Sequence, residues 1–271
     1  MFKHSFQAGL LAVLHANGSA PLQLWSVEGE KKLRDRERGG GALRGSHGPV
    51  HLPLPLPFPA GKDGAATRAT DHPTGLACID ITGTSPSSTF IACPPDVRAG
   101  ELGVRLPHLH LLVKSPGPGP VGAPSSSASS QQPVSVEVTV RDAEGGTRRL
   151  RASTAVSTPR VTPALAALPL RLAPAPTSAG WCRVRLDLAA LLSRAYPADP
   201  PLAEVVRLRL GAGARVRTVY FAEADYVEGD LPAELRLVVP AAKVAAGGRE
   251  GGGAEAAPPG TGAGAPPVAC V

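Results

Sequence analysis

Apolar and polar residues alternate in short segments along most of this chain, and stretches rich in glycine and proline separate them. In VSVEVTV (134–140) every second residue is valine, and in WCRVRLD (181–187) apolar and arginine positions alternate in the same way. This period of two is typical of antiparallel strands with one buried and one solvated face. Segments with strand character are 21–25, 76–82, 88–93, 108–114, 134–140, 147–153, 168–172, 181–187, 202–210, 215–222 and 235–239.

Helical periodicity is confined to LAALLSRAY (188–196), where Pro197 ends the pattern. The spacing i, i+3, i+4, i+7 is met by Leu188, Leu191, Leu192 and Ala195. AEGG (143–146) and GAGA (211–214) predict tight turns that join neighbouring strands. Many short strands with a single short helix predict an all-β protein, an antiparallel β-sandwich.

Three biased segments interrupt or follow the strands. Residues 27–75 combine a mixed-charge run with HLPLPLPFP, whose alternating prolines favour polyproline II and exclude a central strand. Residues 115–133 are a Gly/Pro/Ser linker, and residues 243–271 form a Gly/Ala/Pro tail. We therefore expect one sandwich domain over 1–242, with disordered loops at 27–75 and 115–133, followed by a disordered tail.

The N-terminus mimics a short signal peptide, because MFKH is soon followed by the apolar run AGLLAVL (8–14). That run is short and is bracketed by Gln7 and His15, which argues against secretion. No window approaches the ~20 apolar residues of a membrane-spanning helix. The four cysteines show no CxxC and no disulfide-framework spacing, so we expect reduced thiols in a cytosolic protein.

The sequence lacks the motifs of catalysis and nucleotide binding. GAGARV (211–216) has no third glycine and no βαβ context, and the Gly-Lys pair at 61–62 lacks the following Ser or Thr of a phosphate loop. His108 and His110 form an H-x-H pair on one face of a strand, but no third metal ligand lies nearby in sequence. We favour a structural or partner-facing role for this pair, and we expect no enzymatic activity, metal or cofactor.

Arginine is the informative residue, because it recurs within several predicted strands. Side chains two residues apart share one face of a strand, so the arginines predict a broad guanidinium surface. They are Arg148, Arg149, Arg151, Arg183, Arg185, Arg207, Arg209, Arg215 and Arg217, the last four on the two strands of a predicted hairpin. One interpretation is a solvated face whose arginines pair with acids across strands. The other is a docking face for a carboxylate-rich partner.

The charge balance narrows the choice of partner. The formal net charge is +6, which fits nucleic acid, a membrane surface or an acidic protein such as tubulin. Stacking aromatics are not interleaved with the arginines, and this pattern disfavours nucleic acid.

An acidic stretch follows the last arginine pair, in RVRTVYFAEADYVEGDLPAELRLVVP. We interpret 215–222 as a strand, 223–230 as a polar connection and 231–239 as the closing strand of the sandwich. Its acids, among them Glu228 and Asp230, either neutralise arginines within the molecule or meet a basic patch on a partner. These two candidate residues complete the predicted interaction site.

The motifs, taken in order, resemble one family, that of cilia- and flagella-associated protein 20. MFKHSFQAG and NGSAPLQLW are similar to the family's opening, which reads M-F-K-x-x-F-Q-x-G and then G-S-x-P-L-x-x-W. Further matches are STFIACPPD (88–96), LGVRLPHLHLLVK (102–114), RRLRAS (148–153), STPRV (157–161), LPLRL (168–172), GWCRVRLDL (180–188), SRAY (193–196) and VRTVYFAEADYVEGDLPAELRLVVP (216–240). The long insertions and the extra tail depart from the family pattern, as expected for a diverged paralogue.

The resemblance implies a single β-sandwich of jelly-roll type and a non-enzymatic structural role in the ciliary and flagellar axoneme. Members of the family lie at the inner junction of the doublet microtubule, where they contact tubulin and the Parkin co-regulated gene product. The implied partners are therefore tubulin and other inner-junction proteins, without a membrane and without nucleic acid. Alternatives are a basal-body, centriole or nuclear adaptor of the same fold, and a carbohydrate-binding sandwich, which requires exposed aromatics on a concave sheet.

Overall fold

The computed structural model describes residues 1–29, 65–72, 74–83, 85–95, 100–115, 132–174 and 178–237, together with the backbone of 268–270. The strands are β1 (Leu10–His15), β2 (Ser26–Glu28), β3 (Ala65–Asp71), β4 (Leu76–Thr82), β5 (Phe90–Cys93), β6 (His108–Lys114), β7 (Ser135–Asp142), β8 (Thr147–Ser153), β9 (Arg160–Val161), β10 (Leu165–Pro169), β11 (Cys182–Asp187), β12 (Leu202–Gly211), β13 (Ala214–Ala222) and β14 (Val268–Cys270). Helix α1 spans Leu188–Ala195, and short 3-10 turns span Glu228–Asp230 and Ala233–Leu235.

The strands form two sheets that share one hydrophobic core. The first sheet has the order β14-β11-β6-β13-β4-β3, and β1 also pairs with β13. The second sheet has the order β2-β5-β12-β7-β8-β10-β9. The pairs β8–β10 and β11–β14 are parallel, and the remaining pairs are antiparallel. The predicted all-β sandwich with one short helix is therefore confirmed.

The core follows from the alternation along the strands. Val136, Val138 and Val140 of β7 are at most 1% exposed, and they share a core with Leu109 and Leu111 of β6 in the opposite sheet. Removal of such apolar surface from water, at roughly 25 cal/mol per Å², is the main favourable contribution to folding. The alternate positions then point outward, and this places the polar side chains on the two outer faces.

Helix α1 begins and ends as its sequence predicts. The Asp187 side chain caps the first turn by accepting a hydrogen bond from the Ala190 backbone N–H at 2.9 Å. The helix stops one residue before Tyr196, just ahead of Pro197. Its buried side chains are Leu188, Leu191 and Leu192.

Several strand predictions are wrong in position. Residues 21–25 form turns, and the strand expected at 168–172 lies at 165–169 instead. The strand expected at 235–239 begins in the 3-10 turn Ala233–Leu235, and residues 238–239 lie outside the described residues. The N-terminal apolar run forms β1, because its leucines and valine pack beside β13 in the first sheet.

The expected loops and tail also contain strands. The prediction of a loop over 27–75 is wrong at both ends, where β2 and β3 pair with β5 and β4, while 30–64 lie outside the described residues. Strand β14 lies within the predicted tail 243–271 and pairs with β11. The sequence of β3, AATRATD, has no large apolar residue, so an edge strand of this kind gives little hydrophobic signal.

The two predicted turns have different outcomes. AEGG (143–146) joins β7 and β8 as an antiparallel pair, which confirms that turn. GAGA (211–214) instead carries the chain from the second sheet to the first, so the predicted hairpin is wrong. Gly213 has φ +89°, and its N–H donates to the Ile81 carbonyl at 2.9 Å. The arginines of β12 and β13 therefore lie in different sheets.

The buried carboxylate of Asp71 anchors the edge strand β3 to the rest of the first sheet. Its Oδ1 accepts hydrogen bonds from Lys114 Nζ at 2.8 Å and from Arg215 Nη1 at 3.4 Å. Its Oδ2 accepts from Thr74 Oγ1 at 2.8 Å and from Trp181 Nε1 at 3.1 Å. Burial raises the pKa of Asp71, but the hydrogen bonds from Lys114, Thr74 and Trp181 outweigh it and hold the pKa below its ordinary value.

We predict that Asp71→Asn destabilises the protein by about 3 kcal/mol, because Lys114 keeps its charge without a full counter-charge. Urea unfolding at neutral pH measures this loss. Asp80→Asn is the matched control, since Asp80 shares Arg215 with Asp71 but is more exposed, and it should cost under about 1 kcal/mol. Equal losses in both variants would contradict the anchoring role of Asp71.

The same carboxylate gives a pH signature. The folded-state pKa of Asp71 is lower than the unfolded-state value of about 3.9. The ionised carboxylate therefore adds to the free energy of unfolding above about pH 3.9, and this contribution is lost as the pH falls through the folded-state pKa. The wild-type protein should therefore lose stability more steeply than Asp71→Asn below about pH 4.

Candidate functional site

The nine predicted arginines do not form one surface, because they are divided between the two sheets. Those of the second sheet are Arg148, Arg149, Arg151, Arg207 and Arg209. Those of the first sheet are Arg183, Arg185, Arg215 and Arg217. The outer faces of a sandwich point away from each other, so the two groups have different surroundings.

Four arginines of the second sheet form two rows across β8, β7 and β12, and we call them the arginine face. Arg149 and Arg207 both lie opposite Thr139 of β7, and Arg151 and Arg209 both lie opposite Glu137. Neighbours in such a row are close enough for their side chains to interact. The register thus gathers arginines that are about 60 residues apart in the sequence.

Glu137 is the acid at the centre of the arginine face, and its side chain is 7% exposed. Its Oε2 accepts from Arg151 Nε at 2.8 Å, and its Oε1 accepts from Arg209 Nη1 at 3.2 Å. Arg149 Nη1 lies 4.0 Å from the same Oε1. Three guanidinium groups therefore share one carboxylate, which leaves a local surplus of positive charge.

Two contacts, one with an aromatic ring and one with a carboxylate, hold the side chain of Arg209 in place. Its Cζ lies 3.7 Å from the centroid of the Phe90 ring, a cation–π contact, while Glu137 holds its Nη1. Burial lowers the pKa of Arg209, opposed by Glu137 and reinforced by the charges of Arg207 and Arg151. The guanidinium stays charged at neutral pH all the same, because an arginine pKa starts near 12.5.

Arginines beside this face each have at least one acidic partner of their own. Arg141 bridges Glu101 and Glu204, with 2.7 Å between its Nη1 and Glu204 Oε1. Arg148 Nε donates to Asp199 Oδ2 at 2.8 Å. The surplus of charge therefore belongs to the arginine face. Glu137 and Arg141 were missed from the sequence, although Glu137 is the only charged residue among the outward positions of VSVEVTV.

The outer face of the first sheet is covered by residues 223–237, which we call the C-terminal strap. Leu231 and Leu235 of the strap are buried against Tyr220 and Ala222 of β13. Glu228 pairs with Arg183, and Asp225 pairs with Arg185. The strap is thus bound to the sheet by an apolar contact and by two ion pairs.

The two predicted acidic residues have different surroundings in the strap. Glu228 pairs with Arg183, whose side chain is 8% exposed, and its Oε1 accepts from the Leu237 N–H at 2.6 Å. Asp230 is exposed, and within the described part of the chain its carboxylate has no ion pair or hydrogen bond. Glu228 therefore neutralises an arginine internally, whereas Asp230 is available to a partner.

Of the other two arginines of the first sheet, Arg215 has acidic partners and Arg217 is buried. Arg215 lies near Asp80 and Asp71, with 3.3 Å between its Nε and Asp80 Oδ2. Arg217 is 7% exposed, and its Nε and Nη1 have no hydrogen-bond partner among the described residues. Burial lowers the pKa of Arg217. Arg217 is therefore nearly buried, whereas Arg215, whose side chain is 30% exposed, lies beside two carboxylates and adds little net charge to an exposed surface.

His110 is a buried structural residue, as its sequence context suggested. Its ring is 2% exposed and stacks on Tyr220, with 4.8 Å between the ring centroids and an interplanar angle of 3°. Burial, reinforced by the charges of Arg183, His108 and Arg185, lowers the pKa of His110 to about 4. Among the described residues, no group of three or more His, Cys, Asp or Glu side chains is placed to hold a metal ion.

The remaining candidates for chemistry are buried. Cys78, Cys93 and Cys182 are free thiols, and burial raises their pKa values to about 11, 12 and 11 respectively. These thiols are protonated at neutral pH and are poor nucleophiles. Trp25 and Trp181 are 5% and 1% exposed, so neither offers the aromatic platform that a carbohydrate site requires. No helix of the described ranges is long and apolar enough to cross a membrane.

Comparison with known proteins relates most of the chain to one family. Residues 57–239 match the family model described as the CFA20 domain. The chain is similar to "Cilia- and flagella-associated protein 20" of Chlamydomonas reinhardtii, with 30% identity over 243 residues that cover 90% of this chain and 100% of the relative. The protein of that name from Paramecium tetraurelia is also 30% identical and covers 90% of this chain and 99% of its own length. The one from Caenorhabditis elegans is 30% identical and covers 89% of this chain and 92% of its own length.

We predict that Glu228→Gln lowers the free energy of unfolding by about 1–3 kcal/mol, because it removes the counter-charge of the nearly buried Arg183. Asp230→Asn is the matched control from the same 3-10 turn, and it should leave the unfolding midpoint unchanged. Thermal unfolding of both variants measures the difference. An unchanged midpoint for Glu228→Gln would show that the strap does not depend on this pair.

We also predict that His110 reduces stability at mildly acidic pH. Its folded-state pKa of about 4 is below the unfolded-state value of about 6.5, so between these pH values the unfolded chain binds a proton that the folded protein does not. The free energy of unfolding is therefore unaffected by His110 above about pH 6.5 and declines as the pH falls toward about 4. His110→Phe, which keeps a ring against Tyr220, should flatten this slope in unfolding measurements between those pH values. His4→Gln, at an exposed N-terminal position, controls for loss of a histidine elsewhere, and equal slopes in all three proteins would contradict the prediction.

Proposed function

Because this chain belongs to the cilia- and flagella-associated protein 20 family, we propose that it is a non-enzymatic structural protein of the ciliary or flagellar axoneme. It binds tubulin at the inner junction between the A- and B-tubules of doublet microtubules, and it supports assembly and motility of the cilium. The relatives from Chlamydomonas reinhardtii and Paramecium tetraurelia are cilia- and flagella-associated proteins, and they match this chain over nearly their whole length.

The observation that carries the proposal is the arginine face. The outer surface of a microtubule is strongly acidic, so a face with three guanidiniums on one carboxylate gains net attraction to it. Guanidinium groups also present several N–H donors in a fixed plane, which suits carboxylate acceptors. Repeated attachment along a lattice adds avidity without requiring high affinity at each contact.

The opposite face suits a second contact of a different kind. The strap pairs with two of its four arginines, Arg183 and Arg185, and it leaves the acidic Asp230 and the apolar Val227 exposed. Val227 is 66% exposed and lies three residues from Asp230. A neighbouring inner-junction protein, such as the Parkin co-regulated gene product, is the expected partner there, and the basal body is a further site where the same contacts serve.

Co-pelleting with taxol-stabilised microtubules tests the arginine face. We expect the wild-type protein to pellet at about 50 mM salt and less at about 150 mM, because screening weakens exposed charge contacts. The double variant Arg149→Gln and Arg207→Gln should bind about tenfold more weakly, which corresponds to about 1.4 kcal/mol. These two arginines were chosen because neither donates a hydrogen bond to Glu137 within the described residues.

Arg194→Gln is the matched control, since this arginine is exposed in the last turn of α1 and lies on neither sheet. It should pellet like the wild-type protein. Failure of the wild-type protein to pellet at either salt concentration, with and without the inner-junction partner, would overturn the proposal. A tagged copy located outside the axoneme and the basal body would do the same.

A further inference from the structure

The outer face of the second sheet contains a cavity of about 320 Å³ at one end of the arginine face. Its floor is formed by Glu137, Arg151 and Arg209, and Phe90 forms part of its wall. Serines from three separate segments also line the cavity, among them Ser87, Ser135 and the buried Ser153. The cavity therefore offers guanidinium and hydroxyl donors at one place.

The donors of the floor are only partly used by the protein. Arg151 donates to Glu137 through Nε and Nη2, and Arg209 donates through Nη1. A guanidinium has five N–H donors, so each of these arginines has further N–H groups that Glu137 does not engage. Their side chains are 38% and 26% exposed, which leaves them accessible from the cavity.

Glu137 orients the arginines of the cavity without neutralising their combined positive charge. The carboxylate and the Phe90 ring fix the planes of the two guanidiniums before any ligand arrives. With Arg149 at 4.0 Å, three positive charges surround one negative charge, and a surplus of two remains. Fixing charged donors in advance reduces the entropy lost on binding.

We propose that this cavity binds the side-chain carboxylates of an acidic, glutamate-rich peptide. A single carboxylate accepts two parallel N–H groups from a guanidinium and adds one negative charge beside Glu137. A phosphate group carries nearly two negative charges and is attracted by the same guanidiniums, so a matched phosphoserine peptide distinguishes the two anions. The serine hydroxyls supply donors and acceptors for the peptide backbone.

The inference deepens the proposed function, because it names the chemistry that the arginine face recognises. It rests on that function only for the identity of the natural partner. Binding of a free peptide is measured without microtubules, so the two statements fail separately. Microtubule pelleting without peptide binding would reject the cavity alone, and peptide binding without pelleting would reject the microtubule partner alone.

Fluorescence anisotropy with the fluorescein-labelled peptide (Glu-Gly)₅ tests the site on the full chain. We expect saturable binding that weakens with salt, and no saturation with the neutral peptide (Gln-Gly)₅. Arg209→Gln should weaken binding about fivefold or more, as expected for a lost charge-assisted contact at a partly exposed position. Arg194→Gln, which removes the same charge from α1, should bind like the wild-type protein.

A second variant separates the cavity from general charge attraction. Ser87→Trp fills the rim from an exposed position and changes no charge, so it should weaken peptide binding while leaving thermal unfolding unchanged. Equal weakening by Arg194→Gln and Arg209→Gln, or full binding by Ser87→Trp, would overturn the proposal in favour of non-specific attraction. Tenfold tighter binding of a matched phosphoserine peptide would overturn the assignment to carboxylates.

Discussion

The pairing of arginine with carboxylate is the interaction on which both outer faces of this sandwich depend. Strands that bury valine and leucine on one side place arginine on the other, and a partly buried guanidinium is costly without an acidic partner. The first sheet provides nearly one acid for each arginine, through Asp71, Asp80, Asp225 and Glu228. On the second sheet, the arginine face has one shared acid, Glu137, for three of its arginines, while Arg141 and Arg148 beside it have acids of their own. This difference in stoichiometry is what separates the internally neutralised outer face from the arginine face that we propose as the binding surface.

Features set by local sequence could be predicted, and features set by distant pairing could not. The β7–β8 turn and helix α1 follow from a few adjacent residues, namely the AEGG turn and the spacing of leucines before Pro197. A four-residue Gly/Ala turn contains no information about which sheet the next strand joins, so β12 and β13 were misassigned to one hairpin. Strand β3 lacks large apolar residues, and its anchor, Asp71, depends on partners more than 40 residues away.

The candidate site shows the same division. The arginine positions and their outward direction follow from the period of two along each strand. The grouping of Arg151 with Arg209 around Glu137 depends on the registers β7–β8 and β7–β12, which sequence periodicity does not determine. The acidic stretch after β13 was correctly assigned to the folded domain, but its end packs as a strap with 3-10 turns in place of a closing strand.

The unequal sharing of acids between the two sheets also makes the described part of the molecule electrically asymmetric. Positive charge without a matching acid is concentrated on the arginine face of the second sheet, while the strap on the first sheet carries Glu223, Asp225, Glu228, Asp230 and Glu234. The arginine face and the acidic strap therefore lie on opposite outer faces of the sandwich. An acidic surface therefore exerts a torque on the approaching protein within about a Debye length, ~10 Å at 0.1 M salt, and turns the arginine face forward before contact. Orientation during the encounter is thus a property of the fold itself.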